Sequence, residues 1–242
     1  MLGNRGVPLE TKLPNLEQLS QLRLPWMMLG CLQLLCSLTV LLAFCFSIVP
    51  AWFLGKLLVN YKAFGTFKAL GTDVPILWLW FPIVIPAWMM SLSLITVLMK
   101  WVMIGKYKEG RVVVCSLYYV RWWLVDRFLA VWEFWVGCYF LDTPIIKVFY
   151  FLMGANIHRT VSIEAFVREF DLVTVDKGSS LSYRLHCRKY GSWGGHSDGD
   201  GDDGPSLRFR SIHIEHHCMI KGFVSPGSRI GCKSIVERLY MN

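Results

Sequence analysis

Residues 157–181 read "IHRTVSIEAFVREFDLVTVDKGSSL". Stepping by six from Ile157 reaches Ile163, Glu169, Val175 and Leu181, and stepping by six from Val161 reaches Val167, Val173 and Ser179. Every place except Glu169 holds an aliphatic or small residue. This is neither the 3.6 period of a helix nor the alternation of a lone strand. A six-residue period is expected where each hexad lays one short strand on one wall of a prism. Aliphatic side chains then stack inward, coil upon coil, and small residues turn the corners.

A second stretch, "SIHIEHHCMIKGFVSPGSRIGCKSIV" (211–236), continues the pattern with Ile214 and Ile220, and with Ile212, Cys218, Val224, Ile230 and Val236. Its register slips at "SPGSR", and only Ile230 is followed by a corner glycine, Gly231. The inward and corner places go to Ile212, Ile214, Cys218 and Ile220, which leaves His213, His216 and His217 on outward or turn positions. Adjacent histidines on such a turn point different ways, a poor start for a shared tetrahedral ion. No metal is therefore assigned, and these are read as surface or substrate-channel histidines.

The chain ahead of this region has a different texture. "LPWMMLGCLQLLCSLTVLLAFCFSIVPAWFLG" (24–55) and "VPILWLWFPIVIPAWMMSLSLITVLM" (74–99) carry no charge. About 20 apolar residues suffice to cross a bilayer, so two transmembrane helices are expected, joined as a hairpin. Trp26, Trp52, Trp78 and Trp101 fall near the run ends, where an indole suits the interface. The first run is longer than the apolar core of a signal peptide and begins too far in, so it is expected to stay as an anchor. Charged residues make up 17% of the 242 residues, against about 25% in soluble domains.

The net charge of +8 is uneven. Residues 1–154 hold 13 Lys/Arg against 7 Asp/Glu, and residues 155–242 hold 12 against 10. The excess lies beside the apolar runs, including five basic residues from Lys100 to Arg121, which favours a cytoplasmic placement of the C-terminal part. That part is nearly neutral and offers no basic face for nucleic acid. Eight cysteines without a C-x-x-C pair read as small hydrophobes in a reducing compartment.

Residues 1–23 read as a polar tail. Residues 105–154 read as an aromatic and basic interfacial helical region. Within it, "SLYYVRWWLVDRFLAVWEFWVGCYFL" (116–141) is long enough to span but carries Arg121, Asp126, Arg127 and Glu133. Each unpaired charge costs about 2.5–3.5 kcal/mol at the bilayer centre. The segment is therefore expected to lie in the interface or to pack on the hairpin, with a third span as the rival. The architecture expected is a membrane helical hairpin plus an interfacial helix, followed over 155–242 by a short left-handed parallel β-helix, with a loop extruded at about 183–206.

Four motifs in order, "YKEGRVVVCSLYYVRWWLVDRFL" (107–129), "DTPIIKVFYFLMGANIHRTVSIE" (142–164), "DLVTVDKGSSL" (171–181) and "IHIEHHCMIKGFVSPGSRIG" (212–231), give the chain a family resemblance over roughly residues 25–236. It resembles the membrane-anchored C-terminal region of nonribosomal-peptide-synthetase-like proteins, including the poly-lysine synthetase type. In that family transmembrane helices alternate with β-helix modules similar to hexapeptide-repeat acyltransferases. The resemblance implies acyl or aminoacyl transfer from a coenzyme A or phosphopantetheine thioester to an amine or hydroxyl. No tightly held cofactor is implied. It also implies a homotrimer, a bilayer, and an adenylation or carrier-domain partner.

The catalytic histidine of that family maps to His186 in "RLHCRKYGSW", as general base. Arg184, Arg188 and Lys189 beside it would meet the phosphates of the donor, with His213 and His216 as further substrate contacts. Family members usually place a Gln or Thr pair before this histidine and an acid soon after it. Here the sequence is "YRLHCRK", so His186 also reads as a loop residue among surface cations. His196 and the acidic run "DGDGDD" read as a solvated loop. The alternative to a transferase is a non-catalytic anchor or scaffold for a synthetase complex, or a fragment of a larger synthetase-like protein.

Overall fold

In a computed structural model, residues 24–60, 67–69, 72–74, 77–190 and 206–237 are described, side chains among 58–81 excepted. The polar tail 1–23, the Gly/Asp-rich run with His196, and the middle of the lysine-bearing connection lie outside the described residues. Helix α1 (Trp26–Asn60) and helix α2 (Leu77–Met103) are both long and apolar enough to cross a membrane. Between them, β1 (Phe67–Ala69) and β2 (Thr72–Val74) pair antiparallel. α1 and α2 meet through aromatic and small hydroxyl groups, with Trp88 Nε1 donating to Ser47 Oγ at 2.9 Å and Phe44 edge-on to Trp88.

Strand β3 (Gly110–Val113) leads into α3 (Leu117–Trp132), capped by Ser116 Oγ, which accepts the Tyr119 N–H at 3.2 Å. α3 packs on both long helices. It runs on through a π turn (Glu133–Gly137) and the short α4 (Cys138–Phe140), before the nine-residue α5 (Pro144–Leu152). Trp132 is the hub of this layer. Its ring stacks on Phe149 at 3.7 Å and its N–H reaches Ser93 of α2 at 2.8 Å. Gly137 is required beside it, because a Cβ there would lie 2.8 Å from the Trp132 ring and 2.9 Å from that of Phe166.

From residue 156 the chain forms short strands. They are β4 (Asn156–Ile157), β5 (Ser162–Ile163), β6 (Val173–Val175), β7 (Ser180–Leu181), β8 (Arg188–Tyr190), β9 (Ser206–Phe209), β10 (Ile212–Ile214), β11 (Met219–Ile220), β12 (Arg229–Ile230) and β13 (Ile235–Val236). Eight of these make two parallel sheets, ordered β12-β10-β6-β4 and β13-β11-β7-β5, and the chain visits the sheets alternately. Ile157 faces Val175 and Ile163 faces Leu181, each eighteen residues on. Val175 then faces Ile214 and Leu181 faces Ile220, and these in turn face Ile230 and Val236. Ile163, Val175, Leu181, Ile214 and Ile220 are fully buried between the sheets, with Ile230 near that limit.

The all-parallel arrangement expected after residue 155 is only part of what forms. β3, β9 and β8 make a third, antiparallel sheet, in the order β3-β9-β8. The excursion expected as a loop from 183 to 206 thus leaves and returns along paired strands. The reason is alternation: Val112, Leu207 and Phe209 point inward and are buried, and Phe209 packs against Tyr107 and Trp122.

Leu181 is fully buried with an aliphatic partner on each neighbouring strand. Leu181→Ala is expected to cost about 2–5 kcal/mol, from lost burial plus a cavity. Denaturant unfolding of the detergent-solubilised chain checks this; a loss below about 1 kcal/mol would show that the site can collapse.

Candidate functional site

Two of the charges that make the α3 segment an awkward membrane helix, Asp126 and Glu133, build the candidate site, with Arg127 against Asp126 Oδ2 at 2.6 Å. Asp126 and Glu133 lie seven residues apart on the α3 helix and its π-turn continuation, so both face the strand region. Arg168 enters between them. Its Nη1 lies 2.7 Å from Asp126 Oδ1, and its Nε and Nη2 fork onto the two Glu133 oxygens at 2.8 and 2.9 Å. All three side chains are less than a tenth exposed. Arg188 bridges Asp126 Oδ1 at 2.8 Å to Glu169 Oε1 at 2.9 Å, with its guanidinium 4.8 Å above the Trp122 ring.

Glu169 is the residue that interrupts the six-residue ladder. It occupies an inward place, 2% exposed, on a left-handed backbone (φ 53°). Its carboxylate takes Arg188 and the Cys187 N–H at 3.0 Å. Burial pushes the Glu169 carboxyl up, more than Arg188 and that N–H pull it down. At Asp126 burial also pushes up, but Arg168 and Arg188 prevail and its carboxyl sits below the usual range. A second ion pair, Lys100 to Asp171 at 2.8 Å, joins the end of α2 to the strand region, and Asp171 also accepts the Tyr107 N–H. A side chain at Gly154 (φ 96°) would run into that carboxylate.

The residues expected to act lie in two places. His186, Arg184 and Arg188 meet at this seam. His186 is half-buried between the buried Leu185 and Cys187, and its Nδ1 is buried without a hydrogen-bond partner. Burial, then Arg188, Arg168 and Arg184, push its pKa down to about 4. The unperturbed value near 6.5 that suits a general base at neutral pH therefore does not hold here. Arg184 is half exposed, 3.2 Å from Glu133 and 5.5 Å over the Phe166 ring. Lys189 is exposed on β8, in register with Arg208.

His213 and His216 are elsewhere. His213 faces outward on β10, in register with Thr174 and Arg229. His216 sits on the following turn with Nδ1 3.6 Å from Cys232 Sγ, and its ring is perpendicular to that of His217. Among the described residues no group of three or more His, Cys, Asp or Glu side chains is placed to hold a metal ion.

Asp126, Glu133, Arg168 and Glu169 are not marked as site residues by the sequence motifs. Two signals point to them: acids inside an apolar helix, and an acid in an inward slot of the ladder. Buried charges need partners, and both are met by the same arginine cluster. The chain matches no protein-family profile, no curated protein and no solved structure.

Breaking one side of a buried pair leaves its partner uncompensated, so Arg168→Met is expected to destabilise by about 3–5 kcal/mol. Adding Asp126→Asn and Glu133→Gln to Arg168→Met recovers part of that loss, and simple additivity of the unfolding energies would contradict the pairing. His186 has a folded pKa of about 4, against about 6.5 when unfolded. Below pH 6.5 the unfolded chain takes up a proton that the fold resists. The unfolding midpoint is therefore expected to fall as pH drops from about 6.5 towards 4, and His186→Gln flattens that slope.

Proposed function

We propose that the chain is a membrane-tethered transferase module similar to the C-terminal region of nonribosomal-peptide-synthetase-like proteins. In this reading α1 and α2 cross the bilayer, and the alternating parallel strands wind as a short left-handed β-helix of hexapeptide repeats on the cytoplasmic side. One observation carries it. Aliphatic residues six apart fall alternately on two parallel sheets, and those of the first coil face partners eighteen residues on, which is three hexads per coil, while the last coil is two residues shorter. The aliphatic ladder continues across the 21-residue excursion between the second and third coils.

The reaction class is transfer of an acyl or aminoacyl group from a coenzyme A or phosphopantetheine thioester to an amine or hydroxyl. The acceptor attacks the thioester carbonyl, the C–N or C–O bond forms, the C–S bond breaks, and the donor leaves as a thiol. In this reading His186 would accept the acceptor's proton, its buried and unpartnered Nδ1 serving only if the ring turns out towards the substrate, and the exposed Arg184 and Lys189 would steer donor phosphates. A pKa of about 4 keeps His186 unprotonated at neutral pH, but makes it a weaker base than free imidazole. A homotrimer and a carrier-domain partner belong to the same reading.

That weakness, and the engagement of Arg188 and Arg168 in buried ion pairs, favour a second reading, a non-catalytic anchor for a synthetase complex. Thiol release by the full chain in vesicles, with acyl-coenzyme A and aminoacyl-pantetheine donors and amine acceptors, separates the two. Under the transferase reading His186→Gln lowers kcat by about 10²–10⁴. The kcat/KM of the wild type stays level on His186's account down to about pH 4. Unchanged turnover in His186→Gln removes the histidine as base. No release from any thioester leaves the anchor.

A further inference from the structure

The short helix α5 (Pro144–Leu152) is apolar almost all round, with Lys147 as its one charged residue. Its inner face, Ile146, Phe149 and Tyr150, is buried. Its outer face, Ile145, Val148, Phe151 and Leu152, is also apolar and is left open, Val148 at 58% and Phe151 at 76% exposed. A surface helix on a water-facing domain carries polar residues outward, and one that is apolar on both sides needs a non-aqueous cover. Nine residues span about 14 Å, too little to cross a hydrocarbon core of about 30 Å.

The bilayer is the cover that the surroundings favour. The Trp101 indole, near the end of α2, donates to the Leu152 carbonyl at 2.8 Å, so α5 ends where that long apolar helix ends. Val102 on the same helix is three-quarters exposed, and the exposed rings of Phe134 and Tyr139 lie on the segment leading into α5. Aromatic residues at the foot of apolar helices favour the headgroup level, and the Lys147 ammonium turns away from the open face to donate to the Arg159 carbonyl at 2.8 Å.

Resting on the membrane reading above, we infer that α5 lies in the plane of the membrane interface with Ile145, Val148 and Phe151 in the acyl region. The first parallel strand would then start at the lipid surface. Gly154 turns the chain out of the interface, and the Lys100–Asp171 pair fixes that exit to the end of α2.

The test places the photoreactive residue benzoylphenylalanine singly at Val148, at Leu42 on α1 and at Arg229 in the full chain. The chain is reconstituted in vesicles of phosphatidylcholine and phosphatidylglycerol, irradiated and analysed by mass spectrometry. The expected result is lipid adduct at Val148 comparable with Leu42 and about tenfold above Arg229, as for an interfacial helix. A chain–chain adduct at Val148, or none, while Leu42 still captures lipid, overturns the inference and leaves the membrane reading standing. Absence of lipid adduct at Leu42 as well overturns both. Near-UV circular dichroism matching the wild type qualifies each variant as folded.

Discussion

Charges buried against apolar surface persist only when each meets an opposite charge at hydrogen-bond range, and that constraint governs how the helical and strand regions join. Asp126 and Glu133 sit in an aromatic helix that would gain nothing by carrying them alone. Arg168, held by the first turns of the strand region, satisfies both, and Arg188 extends the pairing to Glu169. Without the strands, Glu133 would lose its arginines and Asp126 would keep only Arg127; without the helix, Arg168 would lose both acids while Arg188 kept Glu169. Interactions of this kind add little net stability over a well-packed apolar seam, but they are costly to misalign, so they select one docking geometry.

Packing around the seam follows from that geometry. Phe166 can approach the π turn because position 137 is glycine, and Trp132 links α3 to α2 and α5. The Lys100–Asp171 pair makes a second attachment at the end of α2. Two separated ionic contacts prevent the strand region from pivoting about either one. The same arrangement sets the electrostatics of His186: three arginines recruited to neutralise acids also surround an imidazole and hold its proton off.

Much of the strand region was legible because its period is set by backbone geometry. A parallel strand needs inward residues two apart, a corner needs small ones, and Ile163, Val175, Leu181, Ile214 and Ile220 meet those demands in sequence. The break at Glu169 was visible but its use was not, since the partner, Arg188, comes after the second coil. The antiparallel pairing of β3 with β9 was also hidden. Its residues are nearly a hundred positions apart, and four residues of alternation carry too little signal to assign a partner.

The sequence by itself determined the two long apolar helices and the aliphatic rungs, because both depend on local spacing: length against bilayer thickness, and period against strand pleat. Only the tertiary structure decided which acids meet which arginines, that α3 packs against the hairpin, and that the candidate histidine lies among cations. The physical reason is that a charge in an apolar segment declares a need for a partner but not the partner's identity. That identity depends on long-range packing, which brings residues sixty positions apart to within three ångströms.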